Sequence, residues 1–161
     1  MRLSEWRAGA PHAASVADKV LASIAPVLEG LGAEADPPCW IAWGDDPLVR
    51  YTILALADAG VVTCSVRVNV PQEGPRASGK LVRWSRLQVG ELSVENQGGH
   101  SLVSFQVESQ LLRGVDDEGH RVTEFALDVV AGVDGRPFPS VGPAGPPRSL
   151  VGQALPPGGS A

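Results

Sequence analysis

The sequence predicts an α+β domain in which an antiparallel sheet, a three-stranded meander plus a hairpin, is packed by N-terminal and C-terminal helices. The strand period is clearest at Val103, Phe105 and Val107, where apolar residues alternate with polar ones. From Val122 to Val133 the period changes, and apolar residues recur at the spacing of one helix face. A similar helical pattern lies near the N-terminus. Together these patterns predict a sheet with helices laid over its apolar surfaces.

The N-terminal part is predicted to be a flexible arm over residues 1–14, followed by a single domain over residues 15–135. A helix is predicted over residues 15–31, where apolar side chains keep the spacing i, i+4, i+8, i+11, i+12 and i+15. Pro26 lacks the N–H that would bond the carbonyl of the preceding turn. We therefore expect a kink near residues 22–26, or two shorter helices.

The middle of the chain predicts five strands separated by turn residues. The meander and the hairpin are predicted at Cys39–Trp43, Val49–Ala57, Val62–Val70, Glu91–Glu95 and Ser101–Ser109. The segment Lys80–Gln88 is ambiguous, because its apolar residues fit a short helical face and an alternating strand equally well. The acidic run Asp116–Glu118 precedes the closing helix, where negative charge favours the helix start.

Residues 136–161 differ in composition from the rest of the chain. Seven of them are proline and five are glycine, with no aromatic residue after Phe138. Such a segment buries too little apolar surface to offset the entropy of ordering it. The sequence therefore predicts a disordered Pro/Gly-rich tail.

Charge and hydropathy exclude several classes of partner. The net charge is −5, and the first 135 residues carry eleven basic and eighteen acidic side chains, a net of −7. Nucleic acid and anionic membranes bind concentrated Lys and Arg, so we expect neither as the main partner. The first ten residues have no apolar core, and no apolar run reaches about 18 residues. We expect a cytoplasmic protein.

The sequence predicts no catalytic residue, no metal ligand and no cofactor. Neither His100 nor His120 has a Cys, His or carboxylate at metal-ligand spacing. The acidic pair Asp45 and Asp46 precedes a proline, where aspartate is an ordinary turn residue. Cys39 and Cys64 are too few for a disulfide framework, although a bridge between them is conceivable.

Tryptophan is over-used, with four Trp beside one Tyr and three Phe. Trp40 and Trp43 stand three residues apart, so in a regular strand they face opposite sides of the sheet. One of them is a candidate for an exposed contact, since Trp is favoured at interface centres. A Trp lying over the edge of the core is equally compatible. Trp84 is the third candidate protein contact.

Element order and apolar spacing resemble a known family. The matching segments are Val20–Gly32, the meander Trp40–Val70, the run Leu81–Val94, and Gln110–Asp116 leading into the closing helix. Over Val16–Val133 the chain resembles the YbjN-like family, whose domain is similar to type III secretion chaperones. The resemblance implies a sandwich-like α+β domain, often dimeric, that binds protein segments and has no catalytic site. It also implies that Lys80–Leu87 is a short middle helix.

We therefore expect a non-enzymatic protein-binding module, chaperone-like or adaptor-like, that acts as a homodimer. Trp40, Trp43 and Trp84 are its candidate contacts. An alternative is a PH-like domain that binds a ligand or lipid, which needs seven strands and a basic rim and gains if Lys80–Leu87 is a strand. A small enzyme with no recognisable motif would need distant groups, such as His100 and Asp45, to converge.

Overall fold

The computed structural model describes residues 2–5, 18–46 and 49–141, and only the backbone at residues 45 and 46. Its helices are α1 (Asp18–Gly30) and α2 (Asp117–Val133). The strands in the described ranges are β1 (Trp40–Asp46), β2 (Arg50–Ala57), β3 (Gly60–Val70), β4 (Gly74–Arg83), β5 (Val89–Gln97), β6 (His100–Val107) and β7 (Gln110–Val115). The predicted α+β class is confirmed.

Strands β1 to β4 form one antiparallel sheet in chain order, so the predicted meander is present and a fourth strand extends it. Tyr51 and Ile53 of β2 face α1, whereas Leu54 and Leu56 face the opposite side. This alternation follows from the two-residue period of a strand. Helix α1 packs on β3 and β4 and buries three apolar side chains: Val20, Ile24 and Leu28.

Strands β5 to β7 form a second antiparallel sheet, and α2 packs on β6 and β7. Its apolar side chains meet the face of the first sheet that α1 does not cover. The buried residues of α2 include four of the predicted stripe: Val122, Phe125, Ala126 and Val129. The first sheet is therefore a middle layer, with α1 on one face and the second sheet with α2 on part of the other.

The described start of the chain packs on the domain rather than extending from it. Leu3 is fully buried against the α1 core, within a 3-10 turn at Leu3–Glu5. Ser4 donates both its backbone N–H and its hydroxyl to the carboxylate of Asp36, at 2.9 and 2.7 Å. The rest of the predicted arm, residues 6–14, lies outside the described residues. Pro26 lies inside α1, which continues as one helix rather than two.

The predicted helix at Lys80–Leu87 is wrong. Strand β4 continues to Arg83, and only the short segment Trp84–Arg86 is helical, as a 3-10 turn. The segment forms a strand rather than a helix because β4 pairs with β3 along its whole length. The strand carries small residues where α1 comes close: a Cβ at Gly79 would lie 2.8 Å from Val27 Cγ1. Small residues give little apolar signal, so the alternation was hard to see.

Strand β7 was not predicted, because Gln110–Asp116 was interpreted as the approach to the closing helix. It pairs with β6 through a tight turn at Glu108, whose φ is 55°. Only Leu112 and Gly114 are buried in β7, so its apolar signal is weak. The closing helix is present as expected and begins at Asp117.

Residues 136–141, which the sequence assigned to the tail, pack on the domain. Phe138 packs against the α2 core, and Ser140 is held by the buried carboxylate of Asp128. The remaining predicted tail, residues 142–161, lies outside the described residues. No helix in the described part of the chain is long and apolar enough to cross a membrane.

Candidate functional site

Trp40 is a core residue in this fold. Its side chain is 7% exposed and packs into the α1 core at the start of β1. The guanidinium of Arg121, on α2, lies 4.7 Å from the ring centroid, within the range of a cation–π interaction. A partner could therefore reach the Trp40 ring only if Arg121 moved.

Trp43 lies on the opposite face of β1, as the three-residue spacing predicted. It pairs with Thr52 and is half-buried at the edge of the α2 core. Trp40 pairs with Ala55, whose side chain lies in the α1 core. The two rings therefore belong to different surfaces of the first sheet and do not form one contact patch.

Trp84 is half-buried at the far side of the first sheet, after β4. Its indole N–H donates to the Asp58 carbonyl oxygen at 2.9 Å, and its ring centroid is 6.2 Å from that of Phe138. These residues line a groove of about 410 Å3 together with Gly132 and Val141. Trp84 is thus a fixed wall of a groove that Trp43 does not line.

An uncovered apolar surface lies on β5, an edge strand of the second sheet. Leu92 pairs with Phe105, yet Leu92 is 43% exposed while Phe105 is 1% exposed. Val94 pairs with Val103, and their exposures are 58% and 6%. Paired residues share one face of a sheet. The face that α2 covers on β6 and β7 therefore continues uncovered onto β5.

A buried polar cluster joins three distant parts of the chain, and sequence reasoning missed it. Asp128, 2% exposed on α2, accepts a hydrogen bond from the Ser140 backbone N–H at 2.9 Å and another from its hydroxyl. The Ser140 hydroxyl also lies 3.4 Å from the Cys39 sulfur. Sequence separations of 12 and 101 residues give no pattern that could have revealed the cluster.

This cluster does not make Cys39 a nucleophile. Burial raises the pKa of the Cys39 thiol to about 12, and the hydrogen bond between Cys39 and Ser140 offsets the rise only in part. Burial also raises the pKa of Cys64 to about 11. The reactive form of cysteine is the thiolate, so neither residue is suited to covalent chemistry near neutral pH. The two thiols are free and belong to cores on opposite faces of the first sheet.

We expect both native thiols to resist a disulfide reagent at mildly alkaline pH and to react fully once urea unfolds the chain. Their contribution to stability is complete below the ordinary thiol pKa of 9.0 and is lost as pH rises through the folded values of about 11 and 12. Titration of the thiols with and without urea measures their reactivity in the unfolded and folded chain. Rapid reaction of one thiol in the native protein would contradict it.

His100 contacts Asp116, whereas the enzyme hypothesis named His100 and Asp45 as an example of a converging pair. The Nδ1 atom of His100 lies 2.8 Å from a carboxylate oxygen of Asp116, and both side chains are exposed. Hydrogen bonds from the Ser101 backbone and from His100 lower the pKa of Asp116. Asp116 has a φ of 52°, and its carboxylate accepts the backbone N–H of Ser101, which ties the turn between β7 and α2 to the start of β6. The side chain of Asp45 lies outside the described part of the chain.

Neither a metal cluster nor a known relative accounts for these surfaces. Within the described ranges, no three His, Cys, Asp or Glu side chains are placed to share a metal ion. No protein-family model matches the chain, and no curated protein or solved structure does either. The resemblance to YbjN-like proteins therefore stays a prediction.

Proposed function

We propose that the protein is a non-enzymatic protein-binding module of the cytoplasm, chaperone-like or adaptor-like, that acts as a homodimer through β5. The observation that carries the proposal is the uncovered face and edge of this strand. Eight of its nine residues are exposed, including Leu92 and Val94. In the described part of the chain β5 pairs with β6 alone, so its outer edge offers free backbone N–H and C=O groups. Long exposed edges of this kind are templates for pairing with another strand.

A second copy of β5 fits this edge in an antiparallel register centred on Val94. Two-fold symmetry then places Val94 opposite its own copy and Leu92 opposite Asn96 of the partner subunit. On the other face, Glu95 lies opposite Ser93 of the partner subunit. Each carboxylate meets an uncharged side chain, and the exposed valines cover each other.

The neighbouring register is less favourable. Centring the pair on Ser93 would place Glu91 opposite the partner's Glu95, twice in the symmetric dimer. Like charges directly opposite each other on paired strands are destabilising. Charge thus favours the register centred on Val94 over this neighbour, which makes Val94 a suitable residue for a test.

A charge at position 94 should break the dimer without disturbing the monomer. We expect light scattering after size-exclusion chromatography to give a dimer for the unchanged protein. Val94→Glu and Val94→Lys should each weaken association at least about tenfold, because either charge lies opposite its own copy. Val94 is 58% exposed in the single chain, so the monomer should keep its far-UV spectrum and melting temperature.

Mixing the two variants provides the decisive control. The carboxylate introduced by Val94→Glu on one chain would face the ammonium group introduced by Val94→Lys on the other, so a dimer should reappear in the mixture. Leu111→Lys is the matched control, since Leu111 is 55% exposed on the other face of the second sheet and its change should leave the mass unaltered. A strict monomer at high protein concentration, or dimers insensitive to both changes at Val94, would refute the proposal.

Partner recognition is proposed for the tryptophans that remain accessible. Trp43 and Trp84 are half-buried, and Trp84 lines an open groove with Phe138. Rigid aromatic side chains of this kind supply contact area at low entropic cost. Trp40 could contribute only after its cover, Arg121, is displaced.

A PH-like ligand-binding or lipid-binding domain is the second candidate. Its support is the strand count: seven strands in sheets of four and three precede α2 within the described ranges. The PH-like candidate was expected to gain if Lys80–Leu87 is a strand, and Lys80–Arg83 of this segment belongs to β4. This candidate also needs a basic surface. Because the chain is acidic overall, its basic side chains would have to cluster in one place.

A further inference from the structure

The first sheet has an uncovered half on the face that α2 and the second sheet partly bury. Following the register across β2, β3 and β4, Leu56, Val61 and Val82 form an apolar row at the covered end. At the opposite end of the same face, polar and charged side chains replace them. The cover therefore stops partway along these strands.

The outer row of this uncovered half runs from Asp46 on β1, which pairs with Arg50, through three arginines. Arg50 on β2 pairs with Arg67 on β3, and Arg67 pairs with Arg76 on β4. All three are exposed and share one face. Adjacent strands lie about 4.8 Å apart, so the three side chains leave the sheet from neighbouring positions that span about 10 Å. We name these three residues the arginine row.

Among the described side chains, Arg76 is the one member of the arginine row that forms an ion pair. Asp46 pairs through its backbone with Arg50, but its side chain lies outside the described residues. Arg76 is bonded to Glu73, at 2.6 Å, with both side chains largely exposed. Among the side chains that the structure describes, no carboxylate lies within 4 Å of Arg50 or Arg67. Opposed like charges destabilise a strand pair, so the fold carries an electrostatic cost at Arg67. An anion bound there would offset that cost.

Hydrogen-bond donors and an aromatic ring adjoin the arginine row. The next row on the same face holds Trp43, Thr52, Ser65 and Ser78, in that order from β1 to β4. With Arg50 and Arg67, most of this row lines an open depression of about 380 Å3. Guanidinium groups bind phosphate oxygens through paired hydrogen bonds, and hydroxyls add further donors. A tryptophan face suits a planar ring.

We infer that this depression binds a small phosphate-bearing ligand, with phosphoryl groups on the arginine row and a planar group against Trp43. The net charge of −5 favours a compact anion over a long polyanion, because a nucleic acid would also meet the acidic remainder of the surface. The inference deepens the ligand-binding candidate and does not require the β5 dimer. The phosphoryl groups could belong to a soluble molecule or to a lipid headgroup.

Binding of inorganic pyrophosphate and of ATP tests the site, with calorimetry and the shift in melting temperature as readouts. We expect both to bind, ATP more tightly, with affinity falling as salt rises. Arg67→Gln should weaken binding at least about tenfold. It should also raise the melting temperature of the free protein, because it removes the central charge of the row. A merely structural arginine would lower that temperature.

Flotation of the protein with phosphatidylcholine vesicles, with and without phosphatidylinositol 4,5-bisphosphate, distinguishes the two sources. Flotation that depends on the phosphoinositide and is lost in Arg67→Gln supports the same site with a lipid headgroup as its ligand. Arg113→Gln, an exposed arginine on β7, is the matched control and should change neither readout.

Absence of binding in both arms would overturn the inference, as would equal losses in Arg67→Gln and Arg113→Gln. Neither outcome bears on the dimer proposal, because that proposal is tested by molecular mass. Arg67 lies on the first sheet, away from β5, so its change should not alter that mass.

Discussion

Replacing Asp128 with alanine is expected to lower the free energy of unfolding by about 2–4 kcal/mol. Asp128 is 2% exposed and accepts both the backbone N–H and the hydroxyl of Ser140. Without the carboxylate, these donors lose their acceptor, and the segment 136–141 loses its attachment to α2. Urea unfolding followed by circular dichroism measures the change, and faster reaction of the Cys39 thiol reports release of the segment.

Two variants control for this prediction. Asp134→Ala removes an exposed carboxylate that, among the described side chains, pairs only with Arg136, so it should change stability by no more than about 0.5 kcal/mol. Asp128→Asn keeps an acceptor for the Ser140 N–H and should cost less than Asp128→Ala. Equal stability for Asp128→Ala and Asp134→Ala would show that the buried carboxylate does not hold the segment.

Gly132→Ala is expected to destabilise the protein by about 2–3 kcal/mol, although alanine favours helices by about 1 kcal/mol. A Cβ at Gly132 would overlap the Trp84 ring. The ring cannot retreat freely, because its N–H is bonded to the Asp58 carbonyl and its other neighbour is Phe138. The expected result is a lower melting temperature and a changed Trp84 environment in near-UV circular dichroism.

Gly30→Ala is the matched substitution for this experiment. It makes the same change at the end of α1, where nothing lies within 4 Å of the new Cβ. We expect it to be neutral or stabilising. When Trp84 is already replaced by alanine, Gly132→Ala should cost less stability than it does in the unchanged protein, since the ring that obstructs the new Cβ is absent. Independent, additive costs in the double variant would show that the ring is not the obstacle.

The periodic parts of the fold were predictable from the sequence. The stripe from Val122 to Val129 and the alternation from Val62 to Val66 each correspond to one buried face, so period alone identified the element. Strand β4 was misread because its contacts with α1 require small side chains such as Gly79, which carry little apolar signal. Strand β7 was missed because Leu112 is its only large buried side chain.

The candidate sites needed knowledge of strand register. That Trp40 and Trp43 face opposite sides follows from parity within one strand, and it was predicted. Arg50, Arg67 and Arg76 are separated by 17 and 9 residues, and only the pairing of three strands places them side by side. The exposure of Leu92 was equally hidden, because the sequence does not state where α2 stops covering the second sheet.

The position of the first sheet as a middle layer links the two apolar cores energetically. Alternate residues of β2 belong to different cores: Ile53 to the one under α1, and Leu54 to the one under α2. Strand β2 cannot leave one core without withdrawing from the other. The cores therefore form one cooperative unit, and a local defect on either side is shared by the whole domain.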